Sequence, residues 1–135
     1  MGEINGVKVQ DDQGYLVNKY NFPTKRYYQT LDLKQDAYLI EMYKERHSEK
    51  HYWKEVGEGI RNVGILEMDI YLYKERLIMV VETALDFDWD MAFQQLAEMP
   101  IQIEWEKYMS IFQNAESSAS SVEKWQKMER IFCLP

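Results

Sequence analysis

Apolar and polar positions recur with different periods along this chain, and the changes of period mark its elements. From Arg26, RYYQTLDL is rich in β-formers and nearly alternates, which predicts a strand ending near Leu33. LKQDAYLIEMYKERHSEKHYWKEV follows without Gly or Pro, and Leu39, Tyr43 and His47 recur every four residues, so one helical face carries all three. GEGIRNVG, with three glycines, then predicts a break. GILEMDIYLY alternates as a strand does, with Leu66, Met68, Ile70 and Leu72 on one face and Glu67, Asp69 and Tyr71 on the other. YKER is a polar connector to the apolar run LIMVVET, so the two strands are expected to form a hairpin. DFDWDMAFQQLAEM predicts a helix capped by Asp86, Asp88 or Asp90 and stopped before Pro100. After Pro100, IQIEWEKYMSIFQ places Ile103, Trp105, Met109 and Phe112 in neighbouring helical rows, and NAESSASS is a polar loop. The last stretch, VEKWQKMERIFCLP, ends in apolar residues that read as a closing strand.

Residues 1–25 hold Gly2, Gly6, Gly14 and Pro23 among Asn, Asp and Gln, with no sustained period, so a partly ordered extension precedes a domain over 26–135. The order of elements in that domain is a ferredoxin-like βαββαβ, an α+β fold with helices on one face of an antiparallel sheet. Apolar side chains on both sheet faces leave the second face in need of cover. A second copy of the chain is the expected cover, making a homodimer.

Composition and charge narrow the partners. The 135 residues suit one domain, and 46% apolar content with interspersed charges suits a packed core. A formal charge of -7 disfavours nucleic acid, whose phosphates call for a basic footprint. Apolar runs are too short to span a bilayer, so no membrane partner is expected. The opening MGEINGVKVQDDQG does not read as an export signal, and the single cysteine, Cys133, offers no internal disulfide, so a cytoplasmic setting is expected. Cys133 itself reads as a packing residue rather than a nucleophile.

Both histidines lie in YKERHSEKHYW. His47 and His51 are four apart, a spacing that can bind zinc on a helix, but HSEKH is not HExxH and no third ligand is evident. No metal is expected. GxSxG and Gly-rich phosphate loops are absent from the sequence. General acid/base chemistry remains, and His47, on the face with Leu39 and Tyr43, fits it better than His51 among Ser48, Glu49 and Lys50. The competing reading of His47 is a histidine at a helix end, hydrogen-bonded there and favoured by the dipole. A carboxylate beside it, with Glu67, Asp69 and Glu82 the candidates, would raise its pKa and keep it a proton donor.

Taken together, Tyr43-x-x-x-His47, Trp53, Gly64, the WEKYM block that begins at Trp105 and the closing IFCLP resemble the L-rhamnose mutarotase family over Arg26 to Pro135. The resemblance implies a dimeric α/β barrel that interconverts the α and β anomers of L-rhamnose without metal or cofactor. It implies His47 as the catalytic proton donor and Tyr43 and Trp105 as sugar-contacting residues. Where the family has a second Trp this chain has Glu106, and where it has a second sugar-contacting Tyr this chain has Met68. Those two departures leave the sugar open, as L-rhamnose or a related deoxy sugar. A cofactor-free monooxygenase on the same barrel and a non-catalytic sugar-binding module are the alternatives.

Overall fold

A computed structural model describes residues 14–116 and 119–135, together with two short strands near the start, β1 (Glu3–Ile4) and β2 (Val7–Lys8), which pair antiparallel. The expected partial order of residues 1–25 therefore falls in part outside the described residues. The main elements follow in order as β3 (Thr24–Asp32), α1 (Ala37–Arg46), α2 (Lys54–Asn62), β4 (Ile65–Tyr73), β5 (Arg76–Ala84), α3 (Trp89–Glu98), α4 (Pro100–Met109), α5 (Ser121–Lys124) and β6 (Gln126–Lys127). Strand order in the sheet is β4-β5-β3-β6, with every neighbouring pair antiparallel. That is the ferredoxin-like arrangement expected, in an α+β fold.

Register decides which side chains meet the helices. β5 sends Leu77, Met79, Val81 and Thr83 to the buried face, where Val81 lies opposite Tyr27 and Met68, and Leu77 opposite Leu31 and Leu72. Leu31, Leu77, Met79 and Val81 join Tyr43, Phe93, Leu96, Trp105 and Met109 from the helices, and Phe112 just after α4, in one core. The hairpin between β4 and β5 turns on Lys74 and Glu75, with Lys74 in the left-handed region at φ 56°. A bulge between Ile65 and Glu67 shifts the start of β4, so Ile65, rather than Leu66, joins Met68 and Ile70 on the helix side. The opposite face mixes the expected apolar side chains with charged ones. It carries Arg26 and Tyr28 from β3, Ile78, Val80 and Glu82 from β5, and Glu67, Asp69 and Tyr71 from β4. Residues before β3 lie against it: the Asn18 amide donates to Glu67 at 3.0 Å, the Tyr20 hydroxyl donates to the other Glu67 oxygen, and the Tyr15 ring sits 5.4 Å from that of Tyr71.

Helix boundaries depart from the sequence pattern in two places, each for a local reason. The long first helix ends at Arg46 and restarts at Lys54, because Ser48 caps the first segment's end, its hydroxyl donating to the Glu45 carbonyl at 2.7 Å. HSEKHYW is therefore a turn between two helices. GEGIRNVG, read as a break, is helix through Asn62 and breaks only at Gly64, φ 105°; its first two glycines are contact points. A Cβ at Gly59 would stand 2.8 Å from the Gln102 amide nitrogen and 3.1 Å from the Met99 sulfur. Glycine lets α2 and α4 approach closely enough for buried Gln102 to donate to the Val56 carbonyl at 2.9 Å. Asp88, among the three caps considered, holds α3 by accepting from the Met91 backbone N–H at 3.1 Å.

The closing strand is shorter than the apolar pattern implied. β6 is two residues long, and the pairing extends only as far as the Met128 N–H, which donates to the Tyr28 carbonyl at 2.9 Å. Beyond it the chain leaves the sheet as an arm with Ile131 89% and Phe132 71% exposed. Cys133 is exposed on that arm, so it does not pack as expected. Alternation alone could not reveal that, among the described residues, no strand lies beside the arm.

Candidate active site

The last turn of α1 presents Tyr43 and His47 toward the start of α2 and the middle of α4. Asp36 starts the helix by accepting from the Tyr38 and Leu39 N–H groups at 3.0 and 3.1 Å, which sets the phase that turns Tyr43 inward. Tyr43 is buried, edge-on to Phe112 at 6.0 Å, and the His47 ring lies 4.2 Å from its own. Trp105 meets His47 edge-on at 5.4 Å and Trp53 at 5.1 Å, and Trp53 stacks on Tyr108 at 5.7 Å. Three of the expected site residues, Tyr43, His47 and Trp105, are thus brought together.

One hydrogen bond determines the chemistry open to His47. Its Nδ1 lies 2.8 Å from the Tyr43 carbonyl oxygen, which only accepts, so Nδ1 carries the proton and Nε2 of the neutral ring holds the lone pair. Burial pushes the imidazole below its ordinary value of 6.5, and the bond to the Tyr43 carbonyl opposes that without reversing it. Burial likewise drives the Tyr43 phenol far above its ordinary range, with Gln113 acting in the opposite sense. Tyr43 therefore stays a neutral phenol at any working pH. Both features of His47 suit a base, and both also suit the satisfied helix-end histidine weighed at the outset.

Glu67, Asp69 and Glu82 are not beside His47; the register places all three on the far face of the sheet. Glu82 is held there by the Thr24 hydroxyl at 2.8 Å and Arg26 Nε at 3.1 Å. The Asp69 carboxyl is raised by its own burial and by the nearby Glu67 charge. His51, the other histidine, has Nδ1 3.1 Å from the Ser48 hydroxyl, out on the turn. Among the described residues no group of three His, Cys, Asp or Glu side chains is placed to hold a metal ion.

Met68 and Glu106 occupy different ground. They line a hollow of about 440 Å³ between α3, α4 and the start of α5, with Phe93, Leu96, Gln102 and Ser120 around it. Trp105 and Glu106, adjacent on α4, hence face the aromatic corner and the hollow respectively. Lys124 also belongs to this region, its Nζ donating to the Glu106 carboxylate at 3.0 Å and to the Glu106 carbonyl at 2.7 Å. Neither Lys124 nor Gln113 stands out in the sequence, where each is one polar residue among several. A signal for α5 was present: Ser120 and Glu123 form a capping box, a spacing that marks a helix start.

The L-rhamnose mutarotase family model matches residues 26–134. This chain belongs to the L-rhamnose mutarotase family. It is 35% identical over 104 residues to an L-fucose mutarotase of Xanthomonas campestris, covering 77% of this chain and 83% of that protein. It is 39% identical over 114 residues to a UPF0734 protein of Dictyostelium discoideum, covering 82% of this chain and 90% of its relative. In fold it is similar to an L-rhamnose mutarotase from Formosa agariphila, with TM-score 0.62 and 18% identity, covering 82% of this chain and 99% of the other. Mutarotases of this family are isomerases that interconvert anomers, and the present chain is an isomerase of that class. No helix among the described residues is long and apolar enough to cross a membrane.

Proposed function

We propose that this mutarotase interconverts the α and β anomers of L-rhamnose or a closely related deoxy sugar such as L-fucose, with His47 as its acid/base group. The observation that carries the reading is the fixed imidazole: Nδ1–H is committed to the Tyr43 carbonyl, leaving Nε2 as the port for a substrate proton. A neutral imidazole of lowered pKa takes the proton from the anomeric hydroxyl as the bond between the anomeric carbon and the ring oxygen breaks. The imidazolium so formed delivers that proton to the ring oxygen, giving the open-chain aldehyde. Rotation of the carbonyl and reclosure by the same steps in reverse yield the other anomer, and no proton is gained or lost overall. The family resemblance names His47 a donor; its lowered pKa favours taking the proton first.

Tyr43, buried and carrying the carbonyl that orients the ring, serves His47 more than it serves the sugar. Trp105 offers an apolar wall beside the imidazole, while Glu106 and Met68 line the hollow on the next face of α4, which Tyr43, His47 and Trp105 do not line and where a carboxylate can accept from sugar hydroxyls. The active form is a homodimer in the cytoplasm: the exposed apolar arm after Met128 is surface that a second copy would cover. Saturation-transfer NMR on L-rhamnose, L-fucose and their epimers, side by side, tests the activity and ranks the sugars. Accelerated anomer exchange is expected, and binding without acceleration would make the protein a sugar-binding module instead. Light scattering on the eluting peak tests the dimer, and a monomer at micromolar concentration would dismiss it.

A further inference from the structure

Lys124 is a cation whose side chain is fully buried, on a helix only four residues long. Such a charge requires partners, and among the described residues both of its partners belong to Glu106. The Glu106 carbonyl it contacts also accepts from the Ser110 N–H at 3.1 Å and the Ser110 hydroxyl at 2.8 Å, so the end of α4 is tied to α5 at a crowded point. The carboxylate is held by one oxygen, Oε1. Its Oε2 has no hydrogen-bond partner among the described residues, and the Glu106 side chain, 22% exposed, lines the hollow whose facing wall is Ser120, Ser121 and Val122.

We propose that Lys124 is a positioning residue of the sugar site: it fixes the Glu106 carboxylate so that Oε2 stands ready to accept a hydrogen bond from a hydroxyl of the bound sugar. A free Glu on a helix surface would have to give up its side-chain rotamers when it bound substrate, whereas the ion pair has already removed them. The pair is a poor device for stability alone, since burying two charges costs about as much as their attraction returns. As a rigid acceptor it selects a sugar by the position of one hydroxyl. The inference rests on the mutarotase reading of this site, and it concerns sugar affinity rather than the proton transfer at His47.

Anomer exchange measured across a range of L-fucose and L-rhamnose concentrations tests it, with thermal melting of every variant alongside. Lys124→Met is expected to raise KM about tenfold for the preferred sugar with kcat little changed, the loss anticipated for one hydrogen bond to a charged group. Glu106→Gln should give a similar rise, and the double variant should be no worse than the poorer single. Glu106→Asp keeps the backbone contact and the charge while drawing the carboxylate back, so it should fold and still raise KM even if Lys124→Met does not fold. A KM within about twofold of the intact protein in Lys124→Met, with only the melting temperature lowered, would reduce Lys124 to a pin between helices and overturn the inference. An unchanged KM in Glu106→Asp would overturn it as well. No accelerated exchange by the intact protein on any sugar would instead defeat the mutarotase reading beneath it.

Discussion

The aromatic corner around His47 and the hollow beside Glu106 are neighbours on α4, yet they are built on opposite principles. At the corner, rings from three helices crowd a half-buried imidazole, and that polar group is oriented by a main-chain carbonyl. At the hollow, an ion pair buried on the lysine side holds a carboxylate that lines the cavity, with serines and aliphatic side chains sharing the wall. Dryness tunes a base by disfavouring its charged form; a paired charge fixes an acceptor by holding it still. Residue 105 faces the first and residue 106 the second, so in the proposed reading a single helical step separates proton transfer from sugar recognition.

The sharpest way to break that division is His47→Asn, which should lower the exchange rate ~100- to 10,000-fold while sugar binding, read by resonance shifts, persists. Unchanged exchange would remove His47 from the mechanism. Next, Phe112→Ala takes away a fully buried ring from beneath Tyr43 and should destabilise the fold by about 3–5 kcal/mol in chemical denaturation, loosening the corner first. Gly59→Ala pushes a methyl against Gln102 and Met99 and should cost about 1–2 kcal/mol net, the clash exceeding the better helix propensity of alanine. Because Gln102 lines the hollow, KM should move with Gly59→Ala more than kcat does.

Acidity separates the two regions more gently. His47 is held below its ordinary value, so the rate should stay flat as pH falls through 6.5 and decline only at lower pH. A decline centred at or above 6.5 would contradict a dry corner. Stability has a matching sign: the unfolded chain takes up the His47 proton at higher pH than the folded chain does. Folding is therefore favoured fully above the unfolded value and loses that contribution as pH drops below it, a slope that His47→Asn should remove. The smallest change expected is Met68→Tyr, which places a phenol in the hollow and should shift the ratio of KM between L-rhamnose and L-fucose by a few-fold, about the worth of one neutral hydrogen bond.

How much of this could be read from the chain depends on which forces act locally. The strand pattern of β3, β4 and β5 was legible because alternation follows directly from one buried face. Asp88 and Pro100 marked helix limits through backbone chemistry that needs no distant partner. Gly57 and Gly59 misled, since a glycine that breaks a helix and one that admits a neighbouring helix look alike until the neighbour is placed. The stop at His47 was hidden for a similar reason: HSEKHYW lacks Gly and Pro, and its turn is made by the Ser48 hydroxyl. Tyr43, His47 and Trp105 were legible as a group only through the family pattern, whereas Lys124 was not, because its meeting with Glu106 crosses the whole loop between α4 and α5.

The arm after Met128 has a practical consequence. Cys133 is the chain's single cysteine and it is exposed near the tip, so a maleimide probe would attach at one defined point. A spin label there would report the separation of two tips directly if copies associate. Left without reductant, the same thiols would couple copies covalently, and a band of doubled mass on a non-reducing gel would then record storage conditions rather than native assembly.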